Sequence, residues 1–251
     1  MAEKIRTDSG LVAARPVASS AVVRWGAWAG IVYVLAWLIG LFLAPSAPDA
    51  FGPAGTINAY FSSHRSAALV QAVFIHGLAG VALLGLTAAL WSFLAAGDTA
   101  VPRRVMLAAG VVAAAVSFLQ VAFMIAIYVH IGQHGSAEGT RTLFNAINKA
   151  DTIKLILLAV FVGAAYWAAS RNGALPRWVV WLGAVTVVFP VVGRLAFLAK
   201  SAVLNVALDI SLPLLLLWAA AASVSMLWRR PRAVAVSMRA RPSPSPATEI
   251  R

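Results

Sequence analysis

Charged side chains inside long apolar stretches are the residues of this sequence most able to do chemistry. Arg194 and Asp209 stand in two apolar segments within residues 189–217, on either side of a short polar turn. A charge in a membrane helix costs about 2.5–3.5 kcal/mol on insertion scales, so such residues usually face the protein interior and have partners. With the turn near Lys200, both side chains lie about 10 Å along their helices, at matching depth. We therefore predict a buried ion pair between Arg194 and Asp209.

Further polar residues fall in the same half of the predicted bilayer. Gln71 and His76 come early in helix two, Gln120 lies in helix three, and Lys154 with Asp151 one turn before it can join from helix four. Charged and polar residues inside spans are hypotheses for a functional site by default. The sequence predicts a polar pocket that either braces the bundle or binds a small ligand or ion. Its candidate residues are Gln71, His76, Gln120, Lys154, Arg194 and Asp209.

Prolines and histidines bear on what such a pocket could do. Pro190 and Pro213 each leave a backbone carbonyl without its helical donor, as the broken helices of transporters do. His130 and His134 have the spacing of one helical turn, but glycines interrupt any continued helix there. His76 lies about 15 Å deeper than His130, too far for two axial haem ligands. We predict no metal site and no cofactor.

Motifs of catalysis are missing from the sequence as well. There is no cysteine, which excludes disulfides, thiolate metal sites and cysteine nucleophiles. No Gly-x-Ser-x-Gly element, P-loop or dinucleotide-binding fingerprint occurs. The sequence gives no catalytic residue, and an enzymatic activity has no motif to support it.

The elements that must position the pocket are membrane-spanning helices. The chain is 61% hydrophobic and only 11% charged, against about 25% charged residues in soluble domains. A span needs roughly 20 apolar residues. We predict an all-α, polytopic membrane helix bundle with six spans, at about 25–43, 67–95, 105–131, 152–169, 178–198 and 203–228. A signal peptide is the competing interpretation of residues 1–47, although an apolar run of about 19 residues exceeds the usual 7–15.

The loop between the first two spans contains a further helical pattern. Ile57, Tyr60, Phe61 and His64 share one helix face after Thr56, a suitable N-cap. Two interpretations stay open at this point: a short helix on the outer membrane interface, or an ordered loop that packs its aromatic side chains on the bundle.

The distribution of basic residues predicts the orientation. The net charge is +12, and most of the 20 basic residues fall in the N-terminal tail, in the second and fourth loops and in the C-terminal tail. By the positive-inside rule both termini are cytoplasmic. The predicted partners are the lipid bilayer and anionic lipids at the basic face, with a small ligand as a further candidate and nucleic acid as the weaker interpretation. We divide the chain into a tail (1–24), a transmembrane domain (25–228) and a disordered basic tail (229–251).

Three short patterns carry a family resemblance. They are the glycines between Gly30 and Gly40, SRNGALPRWVVWLG in the fourth loop and helix five, and ISLPLLLLW in helix six. Over about residues 25–228 the chain resembles a bacterial family of multi-pass integral membrane proteins known only as a domain of unknown function. Members often carry an acidic residue after the proline of the last helix, whereas here Asp209 precedes Pro213. The resemblance implies a membrane bundle and no reaction.

Together these features predict a multi-pass protein of the bacterial cytoplasmic membrane. The leading hypothesis is a non-enzymatic protein whose outer-half pocket braces the bundle or binds a small ligand or lipid. The alternative is a small-solute or ion-coupled transporter that uses Asp209, Arg194 and His76.

Overall fold

Helices make up the whole secondary structure of the described chain. The computed structural model describes residues 20–199 and 202–228, and of residues 193–199 and 202–209 it describes the backbone alone. Within these ranges there is no strand. The helices are α1 (Ser20–Gly40), α2 (Ala54–Phe93), α3 (Ala100–Gly132), α4 (Ala137–Asn172), α5 (Arg177–Ala199) and α6 (Ala202–Trp228). The prediction of an all-α bundle is confirmed, while both predicted tails lie almost wholly outside the described residues.

Length and composition make most of these helices able to cross a membrane. Five described segments qualify: α1, α2, α3, α4 and the Ile210–Trp228 part of α6. In α5 the apolar stretch Arg177–Val192 is shorter. The protein is therefore a helical membrane bundle with five spans, or six if α5 is counted.

Two helices start earlier than the apolar runs of the sequence suggest. The predicted loop helix is the first part of α2, which begins at Ala54 after Pro53 rather than at a Thr56 cap. Ile57 and Phe61 are buried, and Phe61 packs edge-on against Phe144 at 5.2 Å between ring centroids. The segment is thus a helix and also packs its aromatic residues on the bundle.

A local kink separates this first part of α2 from the span. His64 has non-helical backbone angles (φ −119°, ψ 21°), and its Nδ1 lies 3.1 Å from the carbonyl oxygen of Tyr60. The helix continues past the kink, so the polar residues near position 64 bend α2 without ending it.

α4 also extends well beyond the bilayer. It has 36 residues, which corresponds to about 54 Å and exceeds the ~30 Å hydrocarbon layer. The Ser136 side chain caps its start by accepting a hydrogen bond from the backbone N–H of Gly139 at 3.2 Å. Gly173 ends it in the left-handed conformation (φ 62°) that favours glycine.

One end of the bundle carries both basic and aromatic residues, and we call it the basic end. Arg103 and Arg171 lie there, each stacked on a tryptophan, Trp91 and Trp167 respectively. Trp178 of α5 is exposed at the same end. Tryptophans at a span's end mark the membrane interface.

Small residues bring α1 close to its neighbours. A Cβ added at Gly26 would collide with the Ala89 side chain and the Gly85 carbonyl of α2. A Cβ added at Gly30 would collide with the Ser223 hydroxyl of α6. Close backbone approach of this kind is what drives helix association in lipid, where no hydrophobic force acts between helices.

The buried apolar residues form two separate clusters along the bundle. The smaller outer cluster, away from the basic end, joins α2, α3 and α4 and includes Phe61, Met124 and Ile147. The larger inner cluster involves all six helices and includes Leu86 and Phe161. A layer of polar side chains lies between the two.

Glycine 30 offers a direct test of the α1–α6 contact. We expect Gly30→Ala to destabilise the bundle by about 1–3 kcal/mol, because the new methyl group would overpack the contact with Ser223. Gly55→Ala is the control, since nothing lies within 4 Å of its added Cβ. Thermal unfolding in detergent measures both, and an equal melting temperature for the two variants would contradict the close packing.

Candidate functional site

The polar layer is built around the ammonium group of Lys154. Lys154 lies near the middle of α4 with a side chain only 2% exposed. Asp151, one turn earlier on the same helix, places Oδ1 2.8 Å from its Nζ and is 35% exposed. The i, i+3 spacing on a helix is what allows the two side chains to meet. A buried cation is thus neutralised by a carboxylate that reaches the bundle surface.

Gln120 of α3 connects this ion pair to the next helix. Its Oε1 accepts a hydrogen bond from Lys154 Nζ at 2.8 Å. Its Nε2 donates to the backbone carbonyl of Ile147 at 3.2 Å and to Asp151 Oδ1 at 3.3 Å. The amide orientation follows, because the ammonium group can only donate. Gln120 is fully buried, and each of its polar atoms has a partner.

His76 brings α2 into the same site. Its Nδ1 lies 3.1 Å from Lys154 Nζ, so that nitrogen is the acceptor and the neutral ring carries its proton on Nε2. His76 lies within the π-helical turn Val73–Leu78 of α2. Such turns are rare, and they occur often at functional sites.

Trp37 of α1 closes the site. The ammonium group lies 5.2 Å from the centroid of its ring, within the range of a cation–π contact. His76 meets the same ring edge-on at 6.3 Å. We call Trp37, His76, Gln120, Asp151 and Lys154 the Lys154 cluster.

The hydrogen-bonding capacity of the lysine is fully used. An ammonium group has three N–H donors. Asp151, Gln120 and His76 supply three acceptors at 2.8, 2.8 and 3.1 Å. Because each acceptor is an oxygen or nitrogen on a packed helix, the charge is satisfied without water. This arrangement fixes the relative positions of α2, α3 and α4.

The depth of the cluster follows from the helix rise. Lys154 is about 20 Å from Trp167 along α4, and Asp151 is about 24 Å from it. With Trp167 at one edge of a ~30 Å hydrocarbon layer, Lys154 lies about 10 Å below the opposite edge. The carboxylate of Asp151 is then within reach of the interfacial region on the side away from the basic end.

The other predicted site residues stand apart or are not described. Gln71 Nε2 donates to the backbone carbonyl of Gly40 at 3.1 Å, which ties α2 to the end of α1. The side chains of Arg194 and Asp209 lie outside the described residues, so their ion pair stays a prediction. Of the six candidates, the structure brings His76, Gln120 and Lys154 together.

Two members of the cluster were not among the six candidates. Asp151 is close in sequence to Lys154, but its position at the predicted boundary made it a secondary partner. The sequence could have identified Trp37 as a site residue, because it stands inside the first span and away from the interfacial tryptophans. The π-helical turn had no sequence signal.

The prolines lie within continuous helices in this structure. Pro190 is inside α5 and Pro213 is inside α6. The Thr186 hydroxyl donates to the Leu182 carbonyl at 2.8 Å, with the Leu214 carbonyl of α6 at 3.4 Å. Thr186 thus contacts both helices beside the proline turns.

The histidines near the end of α3 belong to a turn. His130 Nε2 donates to the Ser136 carbonyl at 3.0 Å, and His134 adopts a positive φ of 59°. Within the described part of the chain, no three His, Asp or Glu side chains converge as metal ligands would.

Comparison with known proteins adds no further constraint on this site. No family model, no curated protein and no solved structure matches the chain.

The ion pair lends itself to a double-mutant cycle. We expect Lys154→Met alone to lower the free energy of unfolding by about 2–4 kcal/mol, because it leaves Asp151 and Gln120 without their shared donor. Lys154→Met combined with Asp151→Leu should recover part of that loss, since no uncompensated charge remains. Thermal or denaturant unfolding in detergent measures the coupling.

A matched control is available in the exposed pair Arg141–Glu138, whose charged atoms are 2.7 Å apart. Exposed pairs contribute about 0–1 kcal/mol, so Arg141→Met should change stability little. Additive effects of the Lys154 and Asp151 substitutions would show that the two side chains do not stabilise the bundle as a pair.

Proposed function

We propose that this chain is a non-enzymatic, multi-pass protein of the bacterial cytoplasmic membrane, with both termini inside the cell. In this proposal the Lys154 cluster braces α1 to α4 in the outer half of the bilayer. It also binds a small, uncharged, hydrogen-bond-donating ligand at Asp151.

The observation that carries the proposal is the set of three acceptors around a buried ammonium group. A charge in a span is costly, and it is retained where it has a structural or functional use. Here Lys154 contacts side chains of α2, α3 and α4 over at most 3.1 Å. The same contacts support the bracing role, because removing any one acceptor leaves a buried N–H without a partner.

The exposed part of Asp151 supports the binding role. Its Oδ1 already accepts from Lys154 and Gln120, at 2.8 and 3.3 Å. Both of these contacts are made by Oδ1, and the side chain is 35% exposed, so Oδ2 is the oxygen we assign to the ligand. Because the Lys154–Asp151 pair is neutral as a whole, a neutral donor fits this oxygen better than an ion does.

Acetamide is a suitable probe of the binding role, since its N–H groups can donate to a carboxylate. We expect saturation-transfer NMR to detect acetamide on the detergent-solubilised protein and to lose the signal in Asp151→Leu, which has no acceptor. N,N-dimethylacetamide has no N–H and should not bind. Equal signals from the two amides, or an unchanged signal in the variant, would contradict a donor site at Asp151.

A second candidate function is solute transport, and the π-helical turn at His76 favours it. A turn of this kind can change its hydrogen bonding locally, which would alter the contact of His76 with Lys154. Uptake of acetamide into proteoliposomes separates the two functions. Transport requires flux that depends on His76, whereas binding alone gives no flux above that of empty liposomes.

The orientation can be tested because the chain has no cysteine of its own. Glu138 and Asp98 are exposed at opposite ends of the bundle. We expect a membrane-impermeant maleimide to label Glu138→Cys in intact cells. Asp98→Cys should react only after the membrane is permeabilised. The reverse pattern would place the termini outside.

A further inference from the structure

A groove on the lipid-facing surface of the bundle runs along one face of α4. The face consists of Ile156, Val160, Gly163 and Trp167, and it is flanked by Val105 of α3 and Val187 of α5. The residues from Ile156 to Trp167 cover about 16 Å at the helical rise. This groove lies on the side of α4 that the Lys154 cluster does not use.

The floor of the groove is a glycine. A Cβ at Gly163 would only touch Val187, at 3.5 and 3.9 Å, so the small residue leaves space rather than close packing. Val160 and Trp167 in the walls are 43% and 44% exposed. The groove has a cavity volume of about 290 Å³. At about 30 Å³ for a group the size of water, that is room for about ten methylene groups.

Positive charge surrounds the end of the groove at the membrane interface. The guanidinium of Arg171 lies over the Trp167 ring, 5.6 Å from its centroid. Arg104 is exposed next to Val105, and Arg177 is exposed at the start of α5. Among the described residues of this end, Asp98 is the only acidic one. It is 94% exposed and 3.7 Å from Arg171, so it neutralises little of the charge.

An apolar groove that ends at exposed arginines matches one kind of molecule. We propose that the groove binds one acyl chain of an anionic phospholipid, with the phosphate held by Arg171 and Arg104. Guanidinium groups bind phosphate oxygens through charge-assisted hydrogen bonds. The tryptophan lies where the glycerol region of a lipid meets the hydrocarbon layer. This site does not depend on the role of the Lys154 cluster.

Native mass spectrometry of the delipidated full chain tests the site, with phosphatidylglycerol and phosphatidylcholine of identical acyl chains as probes. We expect phosphatidylglycerol to bind and phosphatidylcholine to bind much more weakly. Arg171→Gln should lower the affinity for phosphatidylglycerol about tenfold, the value of one charged hydrogen bond. Arg141→Gln is the matched control, because this arginine is also exposed and ion-paired but lies at the other end of the bundle.

A second pair of variants tests the groove itself. Val160→Trp fills the groove from an exposed wall and should abolish retention of the lipid. Val81→Trp adds the same bulk at a position on α2 that is 59% exposed and outside the groove. This variant should bind phosphatidylglycerol as the wild type does. Gly163→Leu, which fills the floor, should repeat the loss.

Three results would overturn the proposal. One is equal binding of the two lipids, and another is unchanged binding in Val160→Trp and Gly163→Leu. The third is full competition by glycerol phosphate, which has the headgroup charge and no acyl chain.

Discussion

A buried ammonium ion in a membrane bundle must find an acceptor for every N–H, because no water is present to supply one. Lys154 meets this requirement with Asp151, Gln120 and His76. Each acceptor has a narrow range of useful distances, so the helices that carry them cannot slide or rotate freely. Van der Waals contacts between apolar side chains in lipid have no comparable preference for direction. The register of α2, α3 and α4 therefore depends on this one group.

The Lys154 cluster lies between the two apolar clusters, so its constraint on helix register extends to the whole bundle. The outer cluster belongs to α2, α3 and α4 alone, while the inner cluster also takes in α1, α5 and α6. The ammonium group is at the border of both, and Trp37 links it to α1. His76, in its π-helical turn, is the contact that joins α2 to this border.

The sequence was sufficient for the class of fold and for part of the site. Long runs of uncharged, apolar residues predict membrane-spanning helices. Polar residues inside such helices need partners, and this requirement identified His76, Gln120 and Lys154 as site candidates. It was insufficient wherever the answer depends on tertiary packing. Hydropathy could not show that α2 continues through His64, since the polar residues there bend the helix without ending it. It placed the Arg194–Asp209 pair at the centre of the pocket, and those two side chains lie outside the described residues. Asp151, which the sequence offered only as a secondary partner, is the carboxylate beside Lys154.

The order of the cluster residues along the chain has a consequence for biogenesis. Trp37, His76 and Gln120 all precede Lys154. During synthesis the first three spans thus enter the membrane before the lysine does. The lysine leaves the insertion machinery into a bilayer that already holds most of its partners, and Asp151 arrives with it on the same helix. The cost of inserting a charge is offset at once by neighbours that are in place. The order of these residues along the chain is therefore also the order in which the cluster can assemble.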